Sequence, residues 1–313
     1  MSLMAIRLYT EPHLENPIMF CGWPGIGDVG LVAIDTLRKA LHAKPLGEIE
    51  PWHFFGPETA RIEQGFLKHL RFPSNKFYYH RMDGADLIFF VGERQPTDGN
   101  SGYGQGHKAY ALANLVLDVG QKFGCRTFYT SGAAVRQTHH IVRPRVWAVP
   151  NHPALIDRVR EYENTILMSE VDRRVNQGTI TGLNGLLLGV ARKRGLDAVC
   201  LMGEVPYYLQ GAPWPYPRAS KSVLEVVAMI LSVKIDLQPL DELAVKVEQN
   251  IQNLFQAIRQ SGTTGKQVLD EIDKLRHPEQ AELGPITEDE QKDIIEHMDE
   301  LFRRGGGEDE KRH

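Results

Sequence analysis

The glycine-rich segment after the first apolar run carries the residues best suited to holding an anion. Gly25, Gly27 and Gly30 match the pattern G-x-G-x-x-G, and Asp28 lies within it. Such glycines let the backbone turn tightly, approach a ligand and pack closely against a neighbouring element. A helix that starts near Asp28 has free backbone N–H groups in its first turn, and these attract anions. The segment therefore predicts either a nucleotide or anion site, or a turn that serves packing alone.

A dinucleotide site also needs an acidic residue about 20 residues further on, where it binds ribose. Glu48 and Glu50 have roughly that spacing, but they share a strand-like segment with Pro51 and are equally suited to face solvent. The other two requirements, a preceding strand and a following helix, are both predicted. The dinucleotide interpretation therefore stays open.

Four further candidates stand where apolar, strand-like runs end. Glu93 and Glu204 each follow a glycine, and Ser131 and Gly132 follow the run CRTFYT. Ligands of open α/β sheets bind outside the carboxyl ends of strands, so these residues are expected around any pocket. The N–H groups of Ser131 and Gly132 can hold an anion, and two carboxylates can bind a metal or transfer protons. A capping or structural role for the two carboxylates is the interpretation we favour.

Neither a metal centre nor a hydrolytic site is predicted. His139 and His140 are adjacent and would point to opposite faces of a strand, so one is expected to be buried and one exposed. The chain lacks the histidine and cysteine spacings of zinc sites. Ser131 lacks the leading glycine of G-x-S-x-G. We therefore predict no metal and no cofactor, apart from the nucleotide that the glycine-rich turn leaves open, and lean towards a protein without catalytic activity.

Apolar runs alternate with helical patterns along most of the chain, which predicts an α/β fold with a mostly parallel sheet and helices on both faces. The segment 62–82 is predicted to interrupt this order as a hairpin turned at Pro73-Ser74-Asn75. Helix 219–233 is apolar almost all round, so burial in the domain or in an oligomer contact is expected. A second helix, from Leu240 to Ile258, has one apolar stripe that the core is expected to cover.

The domain boundaries follow from a change of composition. Residues 1–261 are predicted to form the α/β domain, 262–303 a helical C-terminal extension, and 304–313 a disordered tail. Thr287 and Glu290 resemble a capping box at the start of the last helix. Residues 284–313 hold ten acidic and five basic residues, and the apolar face of this helix is expected to dock on the domain or on a partner. The aromatic and apolar side chains predicted for protein contacts are Trp214, Tyr216, Met298 and Phe302.

The composition of the 313-residue chain limits the class of protein. Its 36 basic and 40 acidic residues give a net charge of −4, which does not favour nucleic acid as a partner. Cys21, Cys125 and Cys200 lie in apolar runs and are expected to be buried, reduced thiols. No stretch has the roughly 18 apolar residues of a membrane span, so a membrane partner is not expected. We predict a cytoplasmic protein.

Two segments together resemble the proteasome assembly chaperone two family. These are FCGWPGIGDVG with its amphipathic helix, and GEVPYYLQGAPWPYPRASKSVLEVVAMIL, and the resemblance covers roughly residues 15 to 255. It implies an α/β core similar to the phosphorylase- and hydrolase-like folds, and association as a homo-oligomer. Eukaryotic and some archaeal members of that family help to assemble the proteasome core particle, and some members are labelled ATP-grasp-like. Members that dock on proteasomes often end in a hydrophobic residue, a tyrosine and any residue.

The preferred hypothesis is a homo-oligomeric protein-interaction or assembly factor that associates with itself and with a partner of the proteasome type. The chain ends in Lys311-Arg312-His313, which argues against insertion of its tail into a proteasome. The alternative is an enzyme or sensor, similar to ATP-dependent ligases or to phosphorylases, that binds a nucleotide or another anion. Its site would comprise Gly25 to Gly30 and the strand-end residues.

Overall fold

The computed structural model describes residues 5–98, 104–168, 179–260 and 262–276, together with residues 295, 298 and 302. Strands and helices alternate through these ranges. The strands are β1 (Ile6–Leu8), β2 (Ile18–Gly22), β3 (Lys44–Ile49), β4 (Thr59–Glu63), β5 (Phe66–Arg71), β6 (Asn75–His80), β7 (Leu87–Gly92), β8 (Thr127–Arg136), β9 (Val146–Pro150), β10 (Thr165–Leu167) and β11 (Asp197–Pro206). The helices are α1 (Val29–Ala40), α2 (Gly106–Lys122), α3 (Ile156–Arg160), α4 (Gly182–Lys193), α5 (Pro217–Leu231), α6 (Gln238–Gln260) and α7 (Thr263–Lys274).

A nine-stranded sheet in the order β1-β3-β6-β7-β2-β8-β11-β9-β10 forms the centre of the fold. The four central strands β7, β2, β8 and β11 are parallel to one another. On one side, β1, β3 and β6 extend the sheet in antiparallel pairs, and on the other side β9 pairs antiparallel with β11 and parallel with β10. The predicted α/β class is confirmed, and the parallel pairing lies mainly in the middle of a mixed sheet.

Helices cover both faces of this sheet. On one face, Phe20 stacks between Phe89 and Tyr129, with ring centroids 6.3 and 5.1 Å away, beneath α1 and α5. On the other face, neighbouring residues such as Met19 and Phe128 pack under α2 and α4. Because side chains alternate along a strand, one buried apolar strand supplies both cores.

The two predicted apolar helices belong to the first of these cores. Helix α5 packs against α1 and α6 and buries most of its apolar side chains, among them Val223, Leu224 and Val227. Helix α6 buries one stripe against the domain, formed by Leu240, Val247, Ile251, Leu254 and Ile258. The expectation that the core covers this stripe is confirmed.

The predicted hairpin at Pro73-Ser74-Asn75 is wrong. Strand β5 pairs with β4 through a two-residue turn at Gln64 and Gly65, whose φ angles are 55° and 82°. Strand β6 instead joins the main sheet between β3 and β7. A tight turn with two positive φ angles matches the twist of paired strands, and glycine at position 65 adopts such an angle without strain. Strands β4 and β5 form a separate two-stranded sheet.

The described residues after α6 pack on the main domain. Helix α7 follows Gly262, and Ile295, Met298 and Phe302 are helical and contact the core beneath α1 and α5. Thr287, Glu290 and residues 304–313 lie outside the described residues, and the domain boundary at residue 261 stays a prediction. Within the described ranges, no helix has both the length and the hydropathy needed to cross a membrane.

The three cysteines are buried and form no disulfide. Burial raises the pKa of the Cys21 thiol well above its ordinary value, and it raises the pKa of Cys200 to about 12. The predicted burial of these cysteines is confirmed. Because the thiolate is the nucleophilic form, such thiols are unreactive at neutral pH.

Candidate functional site

The glycine-rich segment forms a tight turn between β2 and α1. Ile26–Asp28 makes one turn of 3-10 helix, and α1 then begins at Val29, close to the predicted start. Gly27 has a φ of 56°, and its carbonyl accepts a hydrogen bond from the backbone N–H of Tyr216 at 2.7 Å. A β-carbon at Gly27 would lie 2.8 Å from the β-carbon of Tyr216. Gly27 therefore fixes the turn against the loop that precedes α5.

Gly30 serves the packing of α1 on the sheet. Its backbone lies directly against the peptide that joins Ser131 to Gly132 in β8: a β-carbon at position 30 would be 2.5 Å from the carbonyl carbon of Ser131 and 3.1 Å from the nitrogen of Gly132. Only a residue without a side chain allows so close an approach between a helix and a strand.

Asp28 takes part in the turn itself. Its carboxylate accepts a hydrogen bond from the backbone N–H of Gly25 at 3.3 Å, and its own N–H donates to the carbonyl of Gly25 at 2.9 Å. Burial raises the pKa of the Asp28 carboxyl, and the hydrogen bond from Gly25 partly offsets this rise. Asp28 therefore closes the turn, and it is absent from the lining of the cavity that Gly25 and Gly30 border.

Four of the predicted ligand residues meet at a cavity of about 170 Å³, which we call the glycine-turn cavity. Gly25 and Gly30 line one side, and Ser131 and Gly132 line another. The Ser131 hydroxyl is buried and has no hydrogen-bond partner among the described residues. Small-molecule sites usually enclose about 300–1,000 Å³. The glycine-turn cavity therefore has room for a phosphate or carboxylate group rather than for a dinucleotide.

The start of α4 closes the same cavity from the opposite face of the sheet. Gln95 bridges the two sides, because its Nε2 donates to the carbonyl of Pro24 and its Oε1 accepts from the N–H of Leu183, both at 2.8 Å. Asn184 donates from Nδ2 to the carbonyl of Ser131 at 3.1 Å. Two helix N-termini thus meet here, and their partial positive charges favour an anion. The motif gives no signal for Gln95 or Asn184, because both lie far from it in sequence.

The downstream acids do not complete a dinucleotide site. Glu48 lies on β3, which β6 and β7 separate from β2, and it forms an ion pair with Arg7 at 3.9 Å. In a dinucleotide-binding fold, the ribose-binding acid stands beside the glycine-rich turn. Glu48 therefore lies in the outer, antiparallel part of the sheet, and neither it nor Glu50, which follows β3, lines the cavity.

Glu93 and Glu204 do not meet each other either, because β2 and β8 lie between their strands. Glu93 is exposed and accepts a hydrogen bond from the N–H of Ser74 at 3.0 Å. Glu204 is only 2% exposed and binds Arg145 through both carboxylate oxygens, at 3.0 and 3.2 Å, and the indole N–H of Trp147 at 2.9 Å. The structural role favoured for these carboxylates agrees with both sets of contacts.

His139 and His140 are both buried, which corrects the expectation of one buried and one exposed histidine. Their rings stack with centroids 4.2 Å apart, because the chain turns after β8 instead of continuing as a strand. His140 Nδ1 lies 2.8 Å from the Tyr208 hydroxyl. Burial lowers the pKa of His139 to about 4, and burial with the neighbouring His139 lowers the pKa of His140 to about 3. Both rings are therefore neutral at physiological pH.

The residues predicted for protein contacts pack within this chain in the structure. Tyr216 is buried, and its hydroxyl donates to the carbonyl of His140 at 3.3 Å. Trp214 contacts Phe302 edge to face, with ring centroids 5.5 Å apart. Met298 is buried in the core beneath α1 and α5. In the described part of the C-terminal extension, Met298 and Phe302 therefore dock on their own domain.

Comparison with known proteins decides the family. The model of the PAC2 family matches residues 19–255, which is more than half of the chain. The chain belongs to the PAC2 family. The matched residues of this PAC2 protein include the glycine-rich turn, the parallel strands at the centre of the sheet, helix α5 and most of helix α6. They correspond closely to residues 15 to 255, over which the sequence predicts the resemblance.

Solved structures and a curated relative extend this result. The PAC2 protein is similar to Pyrococcus furiosus PbaB, an archaeal proteasome activator, with 30% identity, a TM-score of 0.67, and coverage of 79% of this chain and 97% of PbaB. Pyrococcus furiosus PbaA, an archaeal homolog of proteasome-assembly chaperone, shares the fold at 22% identity and a TM-score of 0.58, covering 79% of this chain and 95% of PbaA. An uncharacterized protein of Methanocaldococcus jannaschii is 29% identical over 78% of this chain and 84% of its own length.

Proposed function

We propose that this PAC2 protein is a cytoplasmic homo-oligomeric assembly factor that presents a surface to a partner of the proteasome type. The exposed hairpin formed by β4 and β5 carries this proposal. The relatives named as a proteasome activator and as a homolog of proteasome-assembly chaperone support the class of partner. Membership of the PAC2 family supports the assembly role.

The hairpin presents apolar side chains to solvent. Ile62 is 67% exposed, Phe66 77% and Leu67 64%. Ile62 and Leu67 are directly paired across the two strands, so their side chains share one face, and Leu70 pairs with Ala60 further along. This apolar face, formed by Ile62, Leu67, Ala60 and Leu70, lies outside the main sheet and belongs to neither core of the domain, whereas Phe66 pairs with Glu63 on the other face.

Such a hairpin needs cover to be stable. An isolated two-stranded hairpin is marginally stable in water, and three strands or a packed face are needed for independent stability. Exposed apolar patches are typical of protein contacts, and here Arg61 and Glu63 alternate with Ile62 along β4 and form an ion pair on the opposite face of the hairpin. A second copy of the chain supplies an identical hairpin, and a twofold contact would bury both apolar faces together.

Native mass spectrometry of the purified protein tests self-association. The proposal predicts a defined multimer at about micromolar subunit concentration, the range of ordinary protein contacts. A monomer alone under these conditions would contradict it. The partner is tested separately, by native gel shift of purified proteasome core particles and of their half-assembled precursors on addition of the protein. A gel shift of the core particles or of their precursors supports the proposal. If neither species shifts, the proteasome is not the partner.

The glycine-turn cavity favours a second function, the binding of a small anion as an enzyme or sensor. The unpartnered, buried hydroxyl of Ser131 and the two converging helix N-termini support it. Calorimetric titration with inorganic phosphate is the direct test. Binding that Ser131→Ala weakens by about tenfold or more would support the site, since a hydrogen bond to a charged group contributes about 1.5–3 kcal/mol. Absence of heat at about millimolar phosphate would exclude an affinity of cellular relevance.

A further inference from the structure

A larger cavity lies on the α4 face of the sheet, next to the C-terminal half of β8. Its volume is about 670 Å³, and we call it the arginine cavity. Met202 of β11 pairs with Trp147 of β9, so these two side chains point to the same face, and Ala134 and Arg136 of β8 line the cavity beside them. The small side chain of Ala134 leaves space above the sheet. The volume lies within the range of about 300–1,000 Å³ that is usual for small-molecule sites.

The lining of the arginine cavity carries positive charge. Arg136 from β8 and Arg192 from α4 both line it, and its described lining contains no aspartate or glutamate. The chain as a whole has a net charge of −4, so this local excess of cations runs against the average. Clefts lined by one sign of charge concentrate ligands of the opposite sign.

Arg136 is held in place by an aromatic ring and forms no ion pair among the described residues, although the charge of Glu204 acts on it. Its guanidinium lies over the ring of Trp147, with the central carbon 4.4 Å from the ring centroid. In the part of the chain that the structure describes, the side chains of Arg136 and Arg192 form no ion pair. The carboxylate of Glu204 instead binds Arg145 and the indole N–H of Trp147. The stack therefore orients a planar guanidinium whose N–H groups remain available to an oxyanion.

The surroundings of Arg136 add an electrostatic reason for an anion. The side chain is half-buried, and this burial lowers the pKa of the guanidinium, while Glu204 opposes the shift. A cation that has lost part of its hydration gains from a directly bound anion. Met202 and Val149 offer an apolar floor beside it.

We propose that the arginine cavity binds a small organic anion, with Arg136 and Arg192 holding its carboxylate or phosphate and its flat or apolar body lying on the floor of Met202 and Val149, beside the stack of Arg136 on Trp147. The site differs from the glycine-turn cavity in volume and in charge, although the two share the residues Ala133, Thr179, Ile180 and Met202. It does not depend on self-association or on a proteasome partner.

Calorimetry with matched pairs of probes tests this proposal on the full chain. The probes are adenosine monophosphate with neutral adenosine, and indole-3-acetate with neutral indole-3-acetamide. We expect at least one acid to bind about tenfold or more tightly than its neutral counterpart, a difference of about 1.4 kcal/mol. Preference for adenosine monophosphate would identify the anion as a phosphate, and preference for indole-3-acetate as a carboxylate.

Two variants and a control connect binding to the cavity. Arg136→Met and Arg192→Met should each weaken binding of the acid by about tenfold, since each removes a charged hydrogen-bond donor. Arg143→Met is the control, because Arg143 is exposed and pairs with Glu225 at 2.8 Å outside the cavity. Should Arg136→Met fail to fold, Arg192→Met gives the decisive measurement. No heat with either acid at about 1 mM, equal binding of acid and neutral probe, or unchanged binding in the arginine variants would overturn the proposal.

Discussion

A β-carbon at Gly30 would lie 2.0 Å from the carbonyl oxygen of Ser131, so α1 and β8 touch backbone to backbone. Gly25, in the same motif, has an extended φ of −170° and open space where a β-carbon would project. The two glycines therefore have different roles. Gly30 allows a helix to pack on a strand, whereas Gly25 borders the glycine-turn cavity.

This difference predicts opposite effects of two equal substitutions on stability. Gly30→Ala should lower the free energy of unfolding by about 3 kcal/mol, at the upper end of overpacking effects, because backbone atoms must move apart. Gly25→Ala should change it by less than about 1 kcal/mol, and in the stabilising direction, because alanine reduces the entropy of the unfolded chain. Urea unfolding at one protein concentration measures both. Similar losses in the two variants would contradict the assigned roles.

Removal of the Glu204 carboxylate should destabilise the end of the sheet. Glu204→Gln leaves Arg145 without its ion pair and changes the hydrogen bond to Trp147. We expect a loss of about 1–3 kcal/mol, less than for a fully buried pair, because Arg145 is largely exposed and regains water. Glu225→Gln is the matched control: its ion pair with Arg143 is more exposed, and exposed pairs contribute about 0–1 kcal/mol. Equal thermal shifts in the two variants would refute this prediction.

The stacked histidines predict a decrease of stability in acid. In the unfolded chain the pKa of histidine is 6.5, and in the fold burial lowers it to about 4 for His139 and about 3 for His140. Below pH 6.5 the unfolded chain therefore binds more protons than the folded one, so the free energy of unfolding decreases as the pH decreases. The stability that the two neutral histidines contribute is fully present above pH 6.5. It is lost as the pH falls through their folded-state pKa values of about 4 and about 3.

The slope of stability between pH 6.5 and 4 measures this effect, with His139→Asn as the test and His69→Asn, on the exposed strand β5, as the control. Charges around the pair set the size of the shift: Arg218 and Arg276 lower the pKa of His140, whereas Asp273 raises it, and Glu248 lies 3.6 Å from its Nε2. The slope should be smaller in His139→Asn than in the wild type. If His69→Asn reduced the slope as much as His139→Asn does, the slope could not be assigned to the stacked histidines.

The apolar hairpin predicts which surface joins the subunits. Leu67→Lys places a charge on the face shared with Ile62, so the multimer should dissociate at concentrations where the wild type stays assembled. Val245→Lys is the matched control, because Val245 is 72% exposed on α6 and the substitution is chemically the same. Native mass spectra at a series of concentrations compare the variants. Dissociation by Val245→Lys and not by Leu67→Lys would move the interface to α6.

Local sequence patterns by themselves determine much of this protein. The alternation of apolar runs with helical repeats fixed the α/β class, because periods of 2 and 3.6 residues reflect which side chains must be buried. The glycine-rich turn, the stripe on α6 from Leu240 to Ile258 and the burial of Cys21 follow from short segments in the same way. The resemblance carried by two segments, one of them around Gly25 to Gly30, indicated the family that the match to the PAC2 family shows.

Tertiary structure alone decided which distant residues meet. Ser131 lies about 100 residues beyond Gly30, and only the pairing of β2 with β8 brings them into contact. The same sheet order keeps Glu93 from Glu204 and places Arg136 over Trp147. Likewise, the turn at Gly65 left β4 and β5 outside the main sheet. Strand order depends on long-range packing and loop closure, which a local repeat does not encode, and the candidate sites were therefore decided by the fold.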